Sequence, residues 1–425
     1  MASLEPVAGP AEASRLSRGL VVVLAVATGV AVGGDYYAQP LLAAIRHSLH
    51  VGSAAAGLVV TASQVGYALG LLFLLPLGDL LERKRLVVVL AVVTAAALAG
   101  AAVSPDLAVL FVMAAIVGTS SVVAQVLVSF TASLSSEGER GRMVGTVMSG
   151  LLLGILLART AAGYIAAASS WRTVYLVAAG LMLAIAAVLA RALPRHREDT
   201  GLSYPRILAS VLTIFASEPV LRWRSMFGLL SFAAFSVLWT SLAFLLSAPP
   251  YNYGSGTIGL FGLAGVAGAA MASAAGRLAD RGHQGLLTVA TALAILTAFL
   301  VLWADASSLA LLLIGIVVLD LGCQGIHITN QSQIYRLAPT ARSRVNAGYM
   351  TSYFIGGTIG SIGSAMCFQS FGWSGVCALG TGFGALLVSA ALLERRFAAH
   401  RLVPAQPRAE PRAQPPATAG TTLSV

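Results

Sequence analysis

The segment RGRMVGTVMSG, residues Arg140–Gly150, recurs 202 positions later as RSRVNAGYMTS, residues Arg342–Ser352. The same offset pairs Trp171 with Trp373. A repeat that keeps a fixed spacing over this distance is typical of a chain built from two copies of one structural unit. The sequence therefore predicts two related halves.

Two charged loops repeat at nearly the same spacing. PLGDLLERKR at Pro76–Arg85 and GRLADRGHQ at Gly276–Gln284 place Asp79 and Asp280 201 residues apart. Because these loops and the segments above keep almost one offset, the duplication covers most of the chain.

The composition is that of a membrane protein. Of the 425 residues 57% are apolar and only 10% are charged, and the mean hydropathy is +0.85. A soluble domain carries about 25% charged residues. A helix that spans a bilayer needs about 20 apolar residues. We count twelve such runs: Gly19–Leu42, Ala54–Leu77, Leu86–Val103, Ala108–Ala132, Val144–Ala167, Thr173–Ala190, Met226–Leu246, Gly256–Ala275, Leu286–Trp303, Ser308–Ile334, Asn346–Phe368 and Gly375–Leu393.

The expected fold class is an all-α membrane protein with twelve transmembrane helices in two six-helix bundles related by a pseudo-twofold axis. The bundles would be residues 19–190 and 226–393. Residues 1–18 would be a cytoplasmic N-terminus, and 394–425 a cytoplasmic, largely disordered tail. The linker 191–225 would contain an amphipathic helix, because apolar residues recur in it at helical spacing.

The basic residues predict the orientation of the chain. Of 26 basic residues, all but Arg46, Arg159 and Arg172 fall on the side of the membrane that holds both termini. The positive-inside rule therefore places both termini in the cytoplasm. The net charge of +10 is explained by this topology, so no nucleic-acid partner is predicted.

Several function classes lack support in the sequence. The three cysteines lie in apolar runs without paired spacing, which predicts neither a disulfide framework nor a metal site. We find no hydrolase, metalloprotease or P-loop motif, so neither an enzyme nor a cofactor is expected.

GRLADRG at Gly276–Gly282 resembles the cytoplasmic loop motif of the major facilitator superfamily, G-x-L-x-D-R-x-G. The first-half copy is degenerate, with Leu75, Leu80 and Glu82 at usual Gly, Arg and Gly positions. GILLARTAAG at Gly154–Gly163 stands at the place of the antiporter motif, with Ala158 and Arg159 where Gly and Pro are usual.

Four further stretches resemble one branch of that superfamily, the YnfM-type bacterial drug:proton antiporters. They are DYYAQPLL (from Asp35), GLLLGILLART (from Gly150), LDLGCQGIHITNQSQIY (from Leu319) and YMTSYFIGG (from Tyr349). The resemblance implies export of a small molecule against proton entry. By the same analogy a monomer is expected to be functional, and the aspartates and arginines of the loops would form a cytoplasmic gate of Asp79, Arg83, Asp280 and Arg281.

Ionisable residues deep in predicted spans mark a candidate site. Asp35 and Arg159 each lie 17 residues from the nearest cytoplasmic arginine, and Asp320 lies 16 from Arg336. At 1.5 Å per residue these distances correspond to about 25 Å. Intramembrane charge is usually functional. Gln64, Gln125 and Trp239 fall in the same layer.

The tenth span adds a polar stripe. Asp320, Gln324, His327 and Gln331 are spaced so that they share one helix face. An aspartate that gains and loses Arg159 as a neighbour would take up and release a proton, and His327 could relay it. Asp35, Asp320 and His327 are therefore predicted to couple protons. The alternative for Asp35 is a static buried pair with Arg159.

The remaining candidates would contact substrate. Phe235 and Trp239 could form an aromatic wall, as could Tyr36 and Tyr37, although helix packing explains such residues equally well. The predicted substrate-binding set is Arg159, Gln64, Gln125, Gln324, Gln331, Tyr36, Tyr37, Trp239 and Phe235.

Two kinds of transport remain open from the sequence. The first is proton-coupled efflux of a small organic compound or drug by alternating access. The second is uptake or facilitated transport of an organic anion, with Arg159 as the clamp for a carboxylate or phosphate.

Overall fold

The computed structural model describes residues 17–136, 139–194, 203–337 and 342–401. These residues form helices and no strands. The α-helices are α1 (Arg18–Gly33), α2 (Ala38–Leu49), α3 (Ser53–Leu69), α4 (Arg83–Ala102), α5 (Leu107–Ser121), α6 (Val123–Leu134), α7 (Arg140–Ala168), α8 (Trp171–Ala192), α9 (Tyr204–Ser217), α10 (Pro219–Leu246), α11 (Ser255–Leu260), α12 (Gly265–Asp280), α13 (Gln284–Ala304), α14 (Leu309–Leu337) and α15 (Arg342–Arg401).

Ten helical stretches in the described part of the chain are long and apolar enough to cross a bilayer. One of them, Arg344–Arg396, has 53 residues and contains Gly372 at φ 61° and ψ −152°, so it comprises two helices. The predicted eighth span is divided into α11, a 3₁₀ turn over Phe261–Ala264, and α12. Each of the twelve predicted runs falls largely on helix, and the chain is a multi-pass membrane protein.

Local sequence explains where several helices begin. The Asp106 carboxylate caps α5 by accepting from the Val109 amide at 2.9 Å. Pro219 stands at the start of α10, where its missing N–H costs nothing. The linker helix α9 likewise has a proline, Pro205, in its first turn, and it buries Ile207 and Val211.

The first span is broken, which the prediction of one continuous run missed. α1 ends at Gly33 and α2 begins at Ala38, so Asp35 lies between the two helices. Short-range backbone bonds hold this turn, including one from the Tyr36 amide to the Gly33 carbonyl at 2.9 Å. Discontinuous helices at membrane depth are a feature of transporter binding sites.

The second span also changes helix type. A π-helical turn covers Gly70–Leu74 and a 3₁₀ turn covers Leu75–Asp79. Pro76 lies in the 3₁₀ turn and cannot donate a backbone hydrogen bond. The Phe73 carbonyl accepts a hydrogen bond at 2.8 Å from the Tyr204 hydroxyl on the linker helix.

Close contacts within each half follow the sequence repeat. Gly154 on α7 lies so near Gly29 on α1 that a Cβ would have no space, and its repeat partner Gly356 on α15 meets the Leu229 carbonyl of α10 in the same way. Glycine permits this close helix approach.

Contacts between the N-terminal half and the C-terminal half include hydrogen bonds at two helix crossings. The first runs between α3 and α15, where Thr61 and Ser361 share a hydrogen bond of 2.9 Å and the Ala54 amide donates to Gln369 at 3.0 Å. The second runs between α7 and α11, where the Thr160 hydroxyl donates to the Gly259 carbonyl at 3.1 Å.

Candidate functional site

Asp35 is buried in the break of the first span. It is 1% exposed, and its Oδ1 atom accepts a short hydrogen bond from the Ser63 hydroxyl of α3. Its Oδ2 atom has no hydrogen-bond partner among the residues that the structure describes. A buried carboxylate oxygen without a partner is costly, so this atom is available to a proton or a ligand group.

Arg159 on α7 is the central cation of the site. It is 2% exposed, and its Nε atom donates to Gln39 Oε1 of α2 at 2.7 Å. Its Nη2 atom is buried without a hydrogen-bond partner. One edge of the guanidinium is therefore fixed while a donor on the other remains unused.

Three aromatic rings surround this guanidinium. Its Cζ atom lies 3.9 Å from the ring centroid of Trp239, 5.0 Å from that of Tyr36 and 5.4 Å from that of Phe235. All three distances are within the range of cation–π attraction. Rings from two elements in opposite halves, the first-span break and α10, thus stabilise a charge held on α7.

Asp320 on α14 meets the same tryptophan. It is 3% exposed, and its Oδ1 atom accepts from the Trp239 indole N–H at 3.4 Å. Trp239 therefore contacts both the cation and one of the carboxylates.

The broken eighth span makes room for these charges. A Cβ on Gly262 would lie 2.9 Å from Arg159 Cβ, and one on Gly265 would lie 3.2 Å from Asp320 Oδ2. Glycine at these two positions lets the backbone approach closely.

The direct pair between Asp35 and Arg159 that the sequence left open is not formed. Asp35 bonds to Ser63, and Arg159 bonds to Gln39. Among the described residues, Arg159 makes no ion pair with any carboxylate. The physical reason is that each group has a neutral partner close by, Ser63 for Asp35 and Gln39 for Arg159, and that aromatic faces also contact the guanidinium.

His327 lies further along α14, within a second polar network. Its Nδ1 atom is 3.0 Å from the Tyr349 hydroxyl, to which Asn330 also donates at 3.5 Å. Arg224 contacts Asn330 at 3.5 Å and forms an ion pair with Glu394. The stripe predicted on α14 is therefore divided between the Asp320 region and this network, with Gln324 and Gln331 part-buried on the same helix.

Gln64 and Gln125 take different positions in the layer. Gln64 is 1% exposed and neither atom of its amide has a hydrogen-bond partner. Gln125 bonds to Tyr67, whose ring stacks on Phe354 at 4.1 Å between centroids. Gln64 is thus the unsatisfied amide of the site.

A run of stacked rings leads away from the Arg159 cage. Phe235 lies 5.5 Å from Phe232, and Phe232 lies 4.0 Å from Tyr353, both nearly parallel. Tyr353 in turn lies 4.8 Å from the His327 ring.

Tyr37, which was predicted to contact substrate together with Tyr36, places its hydroxyl over Gly33 on α1.

The structure describes the side chains of two of the four residues predicted to form the cytoplasmic gate, Arg83 and Arg281. Arg83 is buried and donates to the Gly78 carbonyl at 2.9 Å and to Ser133 at 2.8 Å. Arg281 is exposed after α12. The side chains of Asp79 and Asp280 lie outside the described residues.

Sequence reasoning missed four polar residues of the site. They are Gln39, Ser63, Tyr349 and Tyr353. Gln39 stands four positions after Asp35, so helical spacing from a predicted residue could have found it, whereas Ser63 is adjacent to Gln64 and no spacing rule points to it. In the described part of the chain, no group of three His, Cys, Asp or Glu side chains could hold a metal ion.

Comparison of the sequence with known proteins identifies a family of membrane transporters. Residues 24–341 match the family model of the Major Facilitator Superfamily. The chain is 52% identical to the "Uncharacterized transporter YgaY" of Escherichia coli O157:H7 over 86% of its own length and 93% of the relative's. It is 33% identical to the "Probable transporter SCO4007" of Streptomyces coelicolor over 87% of the chain and 86% of that protein.

Solved structures share the fold at low sequence identity. The nucleoside transporter NupG has a TM-score of 0.72 at 14% identity, covering 88% of this chain and 99% of that one. The human organic anion transporter MFSD10 has a TM-score of 0.65 at 17% identity, with the same coverage. From its sequence and its all-helical fold, the chain belongs to the major facilitator superfamily of membrane transporters.

Proposed function

We propose that this transporter exchanges protons for a small organic compound and exports that compound by alternating access. The observation that carries the proposal is the unused bonding capacity of two buried atoms among the described residues, Asp35 Oδ2 and Arg159 Nη2. Buried polar atoms are nearly always partnered in proteins. Atoms that lack a partner at membrane depth are available to a substrate and a proton.

Asp35, Asp320 and His327 are the proposed proton carriers. Asp35 lies in the break of the first span, and Asp320 shares Trp239 with Arg159. When the halves move, the distance between Asp320 in the C-terminal half and the Arg159 guanidinium in the N-terminal half changes, and with it the tendency of Asp320 to hold a proton. Uptake on one side and release on the other would couple proton entry to export.

The two halves would act as rigid six-helix bundles over residues 19–190 and 226–393. The contacts of α3 with α15 and of α7 with α11 would open and close on alternate sides. The bacterial inner membrane, cytoplasmic termini and a monomeric working unit are parts of the same proposal, supported by the arginine distribution and the bacterial relatives.

A second candidate is uptake or facilitated transport of an organic anion. The observation in its favour is the unused Nη2 donor of Arg159, which stands where a carboxylate or phosphate could bind. Replacement of Arg159 by Lys keeps the charge but removes fork-shaped recognition. Under this candidate, anion uptake is lost in Arg159→Lys while no pH gradient is affected by any compound.

Everted membrane vesicles with an acidic interior test the main proposal. Compounds of cationic, neutral and anionic classes are added, and dissipation of the pH gradient is followed. We expect dissipation by some compounds, and its loss in Asp35→Asn and Asp320→Asn.

Asp106→Asn is the matched control, because Asn also caps a helix and Asp106 is exposed at the start of α5. Gradient dissipation that survives both buried substitutions contradicts the proposed proton carriers.

A further inference from the structure

We infer that the Arg159 layer selects planar aromatic compounds that carry a carboxylate or a similar delocalised anionic group. The inference rests on the proposed function, since it assigns the substrate class of the same site. Three independent features lead to it: a pre-positioned cation, a stack of rings with accessible members, and an unsatisfied amide beside that stack.

The cation sets the charge of the ligand. Gln39 and the face of Trp239 hold the Arg159 guanidinium, and its Nη2 donor is unused. A carboxylate is the acceptor that such a planar donor binds most strongly. The face of Trp239 that could attract a cationic ligand is already occupied by the guanidinium.

The rings set the shape of the ligand. Phe232 is buried between Phe235 and Tyr353, while those two are only part-buried. Phe235 also lies against Arg159, with its ring centroid 5.4 Å from the Cζ atom, so a ligand bound to the guanidinium would lie beside this ring. A flat ring system can add to such a stack through offset or edge contacts, whereas a saturated ring cannot use the same geometry.

Gln64 completes the site at the other side of the stack. A Cβ on Gly357 would lie 2.6 Å from Phe232 and 2.9 Å from Gln64 Oε1, so the amide lies beside the Phe232 ring. Both amide atoms are unpartnered and buried. A donor and an acceptor at this position would recognise a polar substituent on the ring.

Calorimetric titration of the purified full-length protein in detergent tests the class with four matched probes. They are 2-naphthoate, neutral 2-naphthamide, saturated decahydro-2-naphthoate and cationic 2-naphthylmethylammonium. We expect 2-naphthoate to bind about tenfold or more tightly than each of the other three, as one charge-assisted hydrogen bond or one lost stack requires. Equal or weaker binding of 2-naphthoate, or no binding of it to the folded protein, overturns the inference.

Variants locate the recognition at Arg159. Arg159→Gln should bind naphthoate and naphthamide equally, whereas Arg172→Gln should keep the preference of the unmodified protein. Arg172 is the matched control, because it also lies over a tryptophan, 4.3 Å from the Trp171 ring centroid, but outside the site. Should Arg159→Gln not fold, the four probes on the unmodified protein still decide the inference.

The proposed proton exchange and the proposed substrate class can be tested independently. If naphthoate binds with the stated preference but changes no pH gradient in vesicles, proton exchange is wrong and the substrate class stands. If another compound dissipates the gradient through Asp35 while naphthoate does not bind, the substrate class is wrong and proton exchange stands.

Discussion

Position 159 on α7 and position 361 on α15 are equivalents in the sequence repeat, yet they carry different chemistry. Arg159 faces Gly262 of the eighth span, whereas Ser361 faces Thr61 of α3. Thr61 and Gly262 are also equivalent positions, because they are separated by 201 residues like Asp79 and Asp280. At the first crossing, the large cationic side chain of Arg159 lies against a glycine, which has no side chain. At the other, two small hydroxyls form a hydrogen bond of 2.9 Å.

This difference teaches how a duplicated scaffold acquires a site. Both places use the same backbone crossing between halves, so the fold alone specifies neither role. The glycine at 262 leaves room for Arg159 near the aromatic rings, and the Thr61–Ser361 bond joins the halves without any charge. Both crossings contain hydrogen bonds between the halves, and under the proposed function the crossing at Arg159 would also bind substrate.

The largest expected effect comes from removing the cation. Arg159→Gln should lower transport by about 100-fold, because a buried hydrogen-bonded charge contributes several kcal/mol to recognition. Initial rates of substrate entry into vesicles measure the effect, and Arg172→Gln should remain near the unmodified rate. A rate within about threefold of the unmodified protein would remove Arg159 from the binding site.

An intermediate effect is expected from making the two crossings alike. Gly262→Thr places a Cβ 2.9 Å from Arg159 Cβ, which should displace the guanidinium from Trp239 and weaken binding about tenfold. Titration of the purified protein measures the change. Gly180→Thr is the control, since nothing lies within 4 Å of a Cβ at that position. Unchanged affinity in Gly262→Thr would show that the space at 262 is not required.

The smallest effect is expected at the other crossing. A double-mutant cycle of Thr61→Val and Ser361→Ala should give a coupling energy of about 1 kcal/mol in thermal unfolding, with little change in ligand affinity. The same cycle for Thr94→Val and Ser120→Ala, a pair of 2.8 Å within the N-terminal half, should give a similar coupling. The Thr94→Val and Ser120→Ala substitutions should leave the transport rate unchanged, whereas the Thr61→Val and Ser361→Ala substitutions should alter it. Equal transport in both cycles would contradict a role for this crossing in alternating access.

The fold could be predicted from the sequence because its causes are periodic or repeated. The apolar runs predicted a multi-pass helical protein, and the loop motif at Gly276–Gly282 predicted the superfamily, which the family model confirms. The YnfM-type branch stays a prediction. A window of hydropathy averages over about 20 residues, so it could not detect the turn around Asp35 or the π-helical turn before Pro76.

The candidate site was predictable by residue type but not by pairing. Counting residues from the cytoplasmic arginines predicted one layer for Arg159, Asp320 and Trp239, and in the structure Trp239 contacts both charged residues. Opposite charge suggested that Asp35 would pair with Arg159, but each found a neutral partner, Ser63 or Gln39. Sequence separation cannot show this choice, because it depends on how α2, α3 and α7 are rotated against one another.

The turn between α1 and α2 has a mechanical consequence. A continuous helix transmits bending along its whole length, since each residue is bonded to one four positions away. At Asp35 two of the bonds of the turn span only three residues, from the amides of Asp35 and Tyr36 to the carbonyls of Val32 and Gly33. The carboxylate proposed to carry a proton therefore lies where the hydrogen-bond pattern of the first span departs from that of a regular α-helix, so a change in its charge would act on the backbone at this turn.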